Sequence, residues 1–232
     1  MNKAIQRMLV AILLFCGLVS VQAQIPADVA EVIRKTNAKM TNTAGLEIDM
    51  NIHLGMLIFK GNMETKLWSK GEKSLMKGKM KMLGQVTKME EGFDGTQQWV
   101  YESFELSEDV KEKARKKGKK LELKDSLKIT KTSAKQKTDN TITFDFDKDY
   151  RKATMKLKDK YYVITFSDPV DKEDPKKMTV RIDKDNFYVR EMSARKGGVK
   201  MTVTINRVKV GVSDDVFKLD ISKYPGAVVV RK

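Results

Sequence analysis

Few residues of this chain have the type and spacing that chemistry needs. His53 is the only histidine. In the alternating run LEIDMNIHL it shares parity with Glu47, Asp49 and Asn51, on the polar side of an expected strand. A general base or metal ligand needs a nucleophile or a second ligand beside it, and the run supplies neither, so an exposed strand residue is the better reading. Asp145, Asp147 and Asp149 stand two apart, like the opening of a calcium loop. That loop also needs glycine at its sixth position and an acid at its twelfth, where this chain has Tyr150 and Lys156. Asp168, Asp171, Glu173 and Asp174 gather around Pro169 and Pro175, which reads as a solvated turn. No phosphate-cradling glycine loop occurs, and nothing points to a glycosidase-type carboxylate pair. The expectation is a protein without enzymatic activity, metal or cofactor.

The N-terminus and the charge balance narrow the setting. Lys3 and Arg7 precede an apolar run at residues 8–19, and Val21-Gln22-Ala23 supplies the small or modest residues that precede a cut. The run is too short for a bilayer-spanning anchor. These features predict a signal peptide over residues 1–23, cleaved after Ala23, and export from the cytosol. Cys16, the sole cysteine, follows Phe15 and not a small residue, so no lipid-modified cysteine is expected and the thiol leaves with the leader. The remaining 209 residues carry 44 basic and 31 acidic side chains, a net charge of +13. Outside the cytosol that surplus suits anionic head groups or acidic partner surfaces. Nucleic acid is not expected, because no base-stacking aromatic motif accompanies the charge.

Two compositional features remain. Residues 111–120 carry seven cations and one acid. They read either as a solvated helix end or as a contact for an anionic membrane or partner, with Lys113, Arg115, Lys116 and Lys117 as the candidates. Twelve of the fourteen methionines lie beyond Ala23. In SLMKGKMKMLGQVTKM, Met76, Met80 and Met82 share parity with Gly78, while Lys77, Lys79 and Lys81 take the other. One side of that strand is soft and apolar, the other cationic and wet. Flexible thioethers adapt to irregular apolar partners, although they also fill a protein's own core.

Behind these residues stands a sheet. Residues 26–40 predict a helix, with Pro26 at its first turn and Val29, Val32 and Ile33 on one stripe. The period then becomes two: Leu46, Ile48, Met50, Ile52 and Leu54 alternate with polar residues. Further strands are expected at about 56–68, 72–83, 85–92 and 96–102. A basic helix from Ser107 follows, then a poorly packed excursion to about 140. Strand signals resume in TITFDF, TMKL, KYYVITF, KMTVRI, FYVREM and VKMTVTINRVKV, with a hairpin turn at Asp183–Asn186. Ser213-Asp214-Asp215 predicts one helical turn before the tail. Short connections argue for an antiparallel meander in a single domain over residues 24–232.

FDGTQQWVYES, residues 93–103, resembles the DG-k-x-x-W-x-Y strand pair of the outer-membrane lipoprotein carrier (LolA-like) family. MTVRIDKDNFYVREM and VKMTVTINRVKVGVSDDVFKLD resemble that family's last hairpins and terminal strand. The resemblance implies a mainly β (α+β) fold: an incompletely closed antiparallel barrel of about ten or eleven strands, with helices packed in its mouth. It further implies a soluble periplasmic carrier whose apolar concave face holds the acyl chains of a lipoprotein or a related lipid. Its partners would be an inner-membrane release complex and an outer-membrane acceptor. Leu46, Ile48, Met50, Ile52, Leu54, Met76, Met80, Met82, Trp99 and Tyr101 are assigned to that face. Members of that family often carry an Arg-Pro pair near the end of the second strand, whose arginine helps to hold the closed state. Here the stretch KLWSKGEK offers Lys70-Gly71, a cation without the planar bidentate donor. A lipid- or peptide-sensing module on the same fold, or a purely structural envelope protein, are the alternative readings.

Overall fold

A computed structural model describes residues 25–56, 60–82, 85–116, 125–131 and 149–231. In chain order the elements are α1 (Ala27–Met40), β1 (Leu46–Gly55), β2 (Lys60–Lys70), β3 (Lys73–Met82), β4 (Gln85–Phe93), β5 (Gln97–Leu106), α2 (Glu108–Lys116) and β6 (Ser126–Lys131). There follow β7 (Tyr150–Lys158), β8 (Tyr161–Pro169), β9 (Lys177–Asp183), β10 (Val189–Lys196) and β11 (Val199–Val210), then 3-10 turns at Asp214–Phe217 and Ile221–Lys223, and β12 (Val228–Arg231). The fold is mainly β, as expected, with twelve strands among the described residues. The described residues pack as two units, 25–41 with 149–197 and those of 42–131 with 198–231.

The first unit combines α1 with the meander β7 to β10, each strand antiparallel to the next. α1 buries Val29, Val32, Ile33, Thr36 and Met40, one stripe at spacings of three, one, three and four. Its C-terminus is closed at Thr41, whose amide and hydroxyl both donate to the Asn37 carbonyl, at 2.9 and 2.8 Å. The expected hairpin turn joins β9 to β10. Asp183 Oδ1 accepts from the amides of Asp185 and Asn186, at 3.0 and 3.3 Å, and the Phe187 amide donates to the Asp183 carbonyl at 2.9 Å. This closure holds Phe187 at φ +59, a region bulky residues rarely occupy.

The second unit is one ladder in the order β12-β6-β5-β4-β3-β2-β1-β11. All its pairs are antiparallel except β12 with β6, which run parallel. Neither run of strands closes on itself among the described residues. The turn from β2 to β3 shows why register holds: Lys70 faces Lys73 across two residues, and Gly71 supplies the φ of +56 that the turn needs.

The second unit corrects one expectation. The sequence predicts a poorly packed excursion over residues 119–140, yet Ser126–Lys131 is strand β6, with Leu127 wholly buried. The Lys and Thr content of SLKITK masks a period-two run in which Leu127 and Ile129 face the core while Lys128 and Thr130 alternate with them. The signal peptide, the TITFDF strand and Lys117 lie outside the described residues.

Candidate functional site

The register of β1 to β5 sorts their residues into cross-strand rows. Ile48, Leu67, Met76 and Glu91 form one row; Met50, Thr65, Gly78 and Met89 the next; Ile52, Met63, Met80 and Thr87 a third. In strands, residues directly opposite share a face. These rows therefore build one apolar face, continued on β11 by Val208, Ile205 and Val203. Ile48, Ile52, Met63, Leu67, Met76 and Met80 on it are all at most 6% exposed. Met50 and Met89 are half-buried.

Gly78 and Met63 give this face a particular texture. A Cβ on Gly78 would lie 2.1 Å from the Met63 methyl, so that methyl occupies the notch the glycine leaves. The filling atom is the end of a flexible chain with three rotatable bonds, and it is replaceable. Three polar residues interrupt the face, Thr65, Thr87 and Glu91. The Thr65 hydroxyl is buried without a hydrogen-bond partner. The Glu91 carboxyl has its pKa raised by burial, partly offset by a 2.9 Å hydrogen bond from the Gln98 amide.

The other face begins at one end with an apolar cluster. Leu75, Trp99, Leu127 and Ile129 pack beneath Val212, Phe217 and Tyr224 of the C-terminal segment. Trp99 is 1% exposed and donates its indole N–H to Glu90 Oε1 at 3.3 Å. The Tyr224 hydroxyl donates to the same oxygen, and Lys77 Nζ reaches Glu90 Oε2 at 2.8 Å. Burial, and then the Glu90 carboxylate, raise the Tyr224 pKa well above an ordinary phenol's. The Tyr101 ring lies 4.6 Å from that of Tyr224, and its hydroxyl donates to Asp125 Oδ2 at 2.9 Å.

The ten residues assigned to one cavity therefore do not share a face. Leu46, Ile48, Met50, Ile52, Leu54, Met76 and Met80 are together; Trp99 and Tyr101 are on the opposite side. Trp99 pairs with Gly92, which pairs with Leu75, whereas Met76 pairs with Glu91 and Glu91 with Val100. The side chain of Met82 lies outside the described residues. His53 occupies the polar side, as its parity predicts, and its ring hydrogen-bonds Asn62.

Lys70 does meet a partner. Its Nζ is 2.9 Å from Asp214 Oδ2, and Lys73 Nζ is 2.7 Å from Asp214 Oδ1, tying the β2–β3 turn to the first 3-10 turn. Ser213 starts that turn as expected, accepting from the Asp215 amide at 3.3 Å. α2 buries none of its residues; Lys111 and Lys116 pair with Glu108 and Glu112 on the helix itself, and Lys113 and Arg115 stand on the same short helix. Sequence reading passes over Met63, Leu67 and Glu90. The alternation of KGNMETKLWSK carries the first two, but nothing local marks Glu90 as the acceptor of a tryptophan nine residues away.

Among the described residues no group of three or more His, Cys, Asp or Glu is placed to hold a metal, and no helix is long and apolar enough to cross a membrane. No family model and no curated protein matches this sequence. The fold is similar to several solved structures. An uncharacterized conserved protein from Thermus thermophilus shares 8% identity over 88% of this chain and 99% of its own, with a TM-score of 0.49. The lipoprotein LppX of Mycobacterium tuberculosis shares 11% over 81% and 98%, with a TM-score of 0.45. A LolA superfamily protein from Nitrosomonas europaea shares 14% over 87% and 99%, with a TM-score of 0.32.

Proposed function

We propose that this protein is an exported lipid carrier, holding the acyl chains of a lipoprotein or a related lipid against the apolar face of β1 to β4 and ferrying them across the periplasm. The observation that carries the reading is the make-up of that face: Met63 and Met80 are partners across β2 and β3, Met76 stands four residues along β3 on the same face, and the glycine notch between Met76 and Met80 is plugged by the Met63 methyl. A rigid core of branched side chains would resist a guest, whereas unbranched thioethers can swing aside and return. The task sets the scale. A chain of about sixteen carbons costs about 12 kcal/mol to keep in water, at ~0.8 kcal/mol per methylene. A carrier must offer a comparable apolar surface and still release. Docking to an inner-membrane donor and an outer-membrane acceptor belongs to the same proposal, with the basic last turn of α2 as the contact for an anionic surface.

Native mass spectrometry of protein purified from the periplasm tests this, together with uptake of a fluorescent fatty acid. Met80→Gln should abolish uptake while leaving the protein folded, because the new amide would face the acyl chain. A clean unliganded mass with no uptake by the wild type refutes the carrier reading. Unfolding of Met80→Gln assigns the methionines to the protein's own core.

A further inference from the structure

The charged face carries a groove that the acyl-binding reading leaves unused. It has a volume of about 840 Å³ and lies across β1 to β5, bounded at one end by Lys223 and Tyr224 of the C-terminal segment. Two rows of the sheet form its floor. One runs Asp49, Lys66, Lys77, Glu90, Tyr101; the other runs Asn51, Glu64, Lys79, Lys88, Ser103. Lys66 is directly opposite Lys77, and Lys79 directly opposite Lys88. Like charges facing each other across neighbouring strands destabilise a sheet, and here two such pairs adjoin in one concavity.

The rows differ in how they offset this repulsion. In the first, acids stand on both flanks: Lys66 Nζ is 3.2 Å from Asp49, and Lys77 Nζ is 2.8 Å from Glu90. In the second, Glu64 is the only acid, and Ser103 closes the far side. Lys88 turns away from the row to Glu105, and Lys79 makes no ion pair within 4.0 Å among the described residues, although Glu64 is its cross-strand neighbour. Five lysines line the groove; Lys66, Lys77, Lys88 and Lys223 have carboxylate partners in Asp49, Glu90, Glu105 and Asp220, which leaves Lys79 as the lining cation without an ion pair among the described residues. A phosphate monoester at Lys79 would supply the counter-charge that its neighbours already have.

A second, independent feature adds neutral donors at the other end of the same groove. β11 carries a bulge where Asp49 pairs with Arg207 but Met50 pairs with Ile205, so Asn206 is the extra residue. Bulges re-aim side chains beside functional sites, and Asn206 lines the groove together with Asn51 of the neighbouring strand β1, whose own cross-strand partner is Thr204. The two amides supply hydrogen-bond donors at the end of the groove away from Tyr101. Ammonium heads with hydroxyl and amide donors around them suit the compact, high charge density of phosphate.

We propose that this groove binds a phosphate monoester, with Lys79 as the principal contact for the phosphate and Lys88, exchanging Glu105 for it, beside it, while Asn51 and Asn206 receive the rest of the ester at the β1–β11 end. The group would belong either to a lipid headgroup or to a soluble phosphate ester. Met50, Thr65, Gly78 and Met89 run between the two rows, but Lys79 and Lys88 take the parity opposite to Met63, Met76 and Met80, so the site stands or falls separately from acyl binding there.

Calorimetric titration of the mature protein with glycerol 3-phosphate, and co-sedimentation with phosphatidylcholine vesicles containing one fifth phosphatidic acid, test the proposal. Lys79→Ser/Lys88→Ser should weaken binding at least tenfold. The control Lys156→Ser/Lys158→Ser, which removes the same charge from exposed positions on β7, should change it less than twofold. Binding to both probes assigns a soluble ester or a headgroup alike; binding to the vesicles alone assigns the headgroup. Equal losses in the two double variants, or binding to neither probe, overturn the proposal. Should the groove variant fail to fold, the wild type still decides. Saturating probe should slow acetylation of Lys79 and Lys88 about tenfold and leave Lys156 unaffected, and uniform or absent protection counts against the site.

Discussion

Gly92→Ala is the sharpest test of how the second unit is packed. Gly92 faces Trp99 across β4 and β5, and the indole lies flat over it. A Cβ at position 92 would fall 2.0, 2.3 and 2.5 Å from three ring carbons of Trp99. Carbon atoms in good contact stay ~3.5–4.0 Å apart, so the ring would have to retreat by about 1.5–2 Å. It has nowhere to go: it is 1% exposed, its N–H is bonded to Glu90, and the C-terminal segment covers it. Overpacking alone costs about 1–3 kcal/mol. Losing the indole hydrogen bond to a charged acceptor adds about 1–2 kcal/mol, and the better strand propensity of alanine returns less than ~1 kcal/mol. The expected net loss is about 3 kcal/mol.

Gly78→Ala is the matched control, because there the new Cβ meets only the Met63 methyl closer than 3.0 Å, with the sulfur at 3.6 Å. One terminal torsion relieves that contact, and the glycine's lost unfolded-state freedom contributes about 0.4–1 kcal/mol in return. Its stability should stay within about 1 kcal/mol of wild type. The assay is urea unfolding followed by tryptophan fluorescence, since both tryptophans, Trp68 and Trp99, lie in the second unit. With a slope of about 2 kcal/mol per molar, the Gly92→Ala midpoint should fall by about 1.5 M. If the two variants unfold within about 0.3 M of each other, the claim that a pinned indole fills the glycine gap is wrong.

Two further outcomes follow from the same residues. Thr65→Val removes a buried hydroxyl that has no partner and should raise stability by about 1 kcal/mol in the same unfolding assay; a loss of that size would mean the hydroxyl is satisfied. Asp214 has its pKa held at about 2, below the ordinary 3.8, by hydrogen bonds from Lys73 and then Lys70. The stability it lends is complete above pH ~4 and drains away as pH falls towards 2, so thermal melts of Asp214→Asn should show a flatter profile across that window and an unchanged one above it.

Much of the fold was legible in the residues themselves. The stripe of Val29, Val32 and Ile33 placed α1, and the alternation from Leu46 to Leu54 placed β1 and put His53 on its polar side. The Asp183 turn and the Ser213 turn announced themselves through side chains that bond their own backbone two residues on, which is a local event. β6 escapes notice because a six-residue run with Lys and Thr between its apolar residues is a weak signal until Leu127 meets Trp99 and Phe217. The parallel pairing of β6 with β12 joins segments about a hundred residues apart, and no nearby pattern encodes it.

The candidate site shows where local information ends. Sequence alone determined that Met76, Met80 and the glycine between them point one way while Lys77 and Lys79 point the other, because side-chain alternation is a property of a single strand. It could not determine which side of β5 joins the methionines. That depends on the number of residues in the turn between Phe93 and Gln98 and on the hydrogen bonds that follow, and a shift of one residue would exchange every side chain. Tertiary pairing put Val100 and Glu102 beside the methionine rows, and sent Trp99 and Tyr101 across to Glu90 and the lysines. Parity within a strand is intrinsic to its backbone; parity between strands is decided only when the ladder closes.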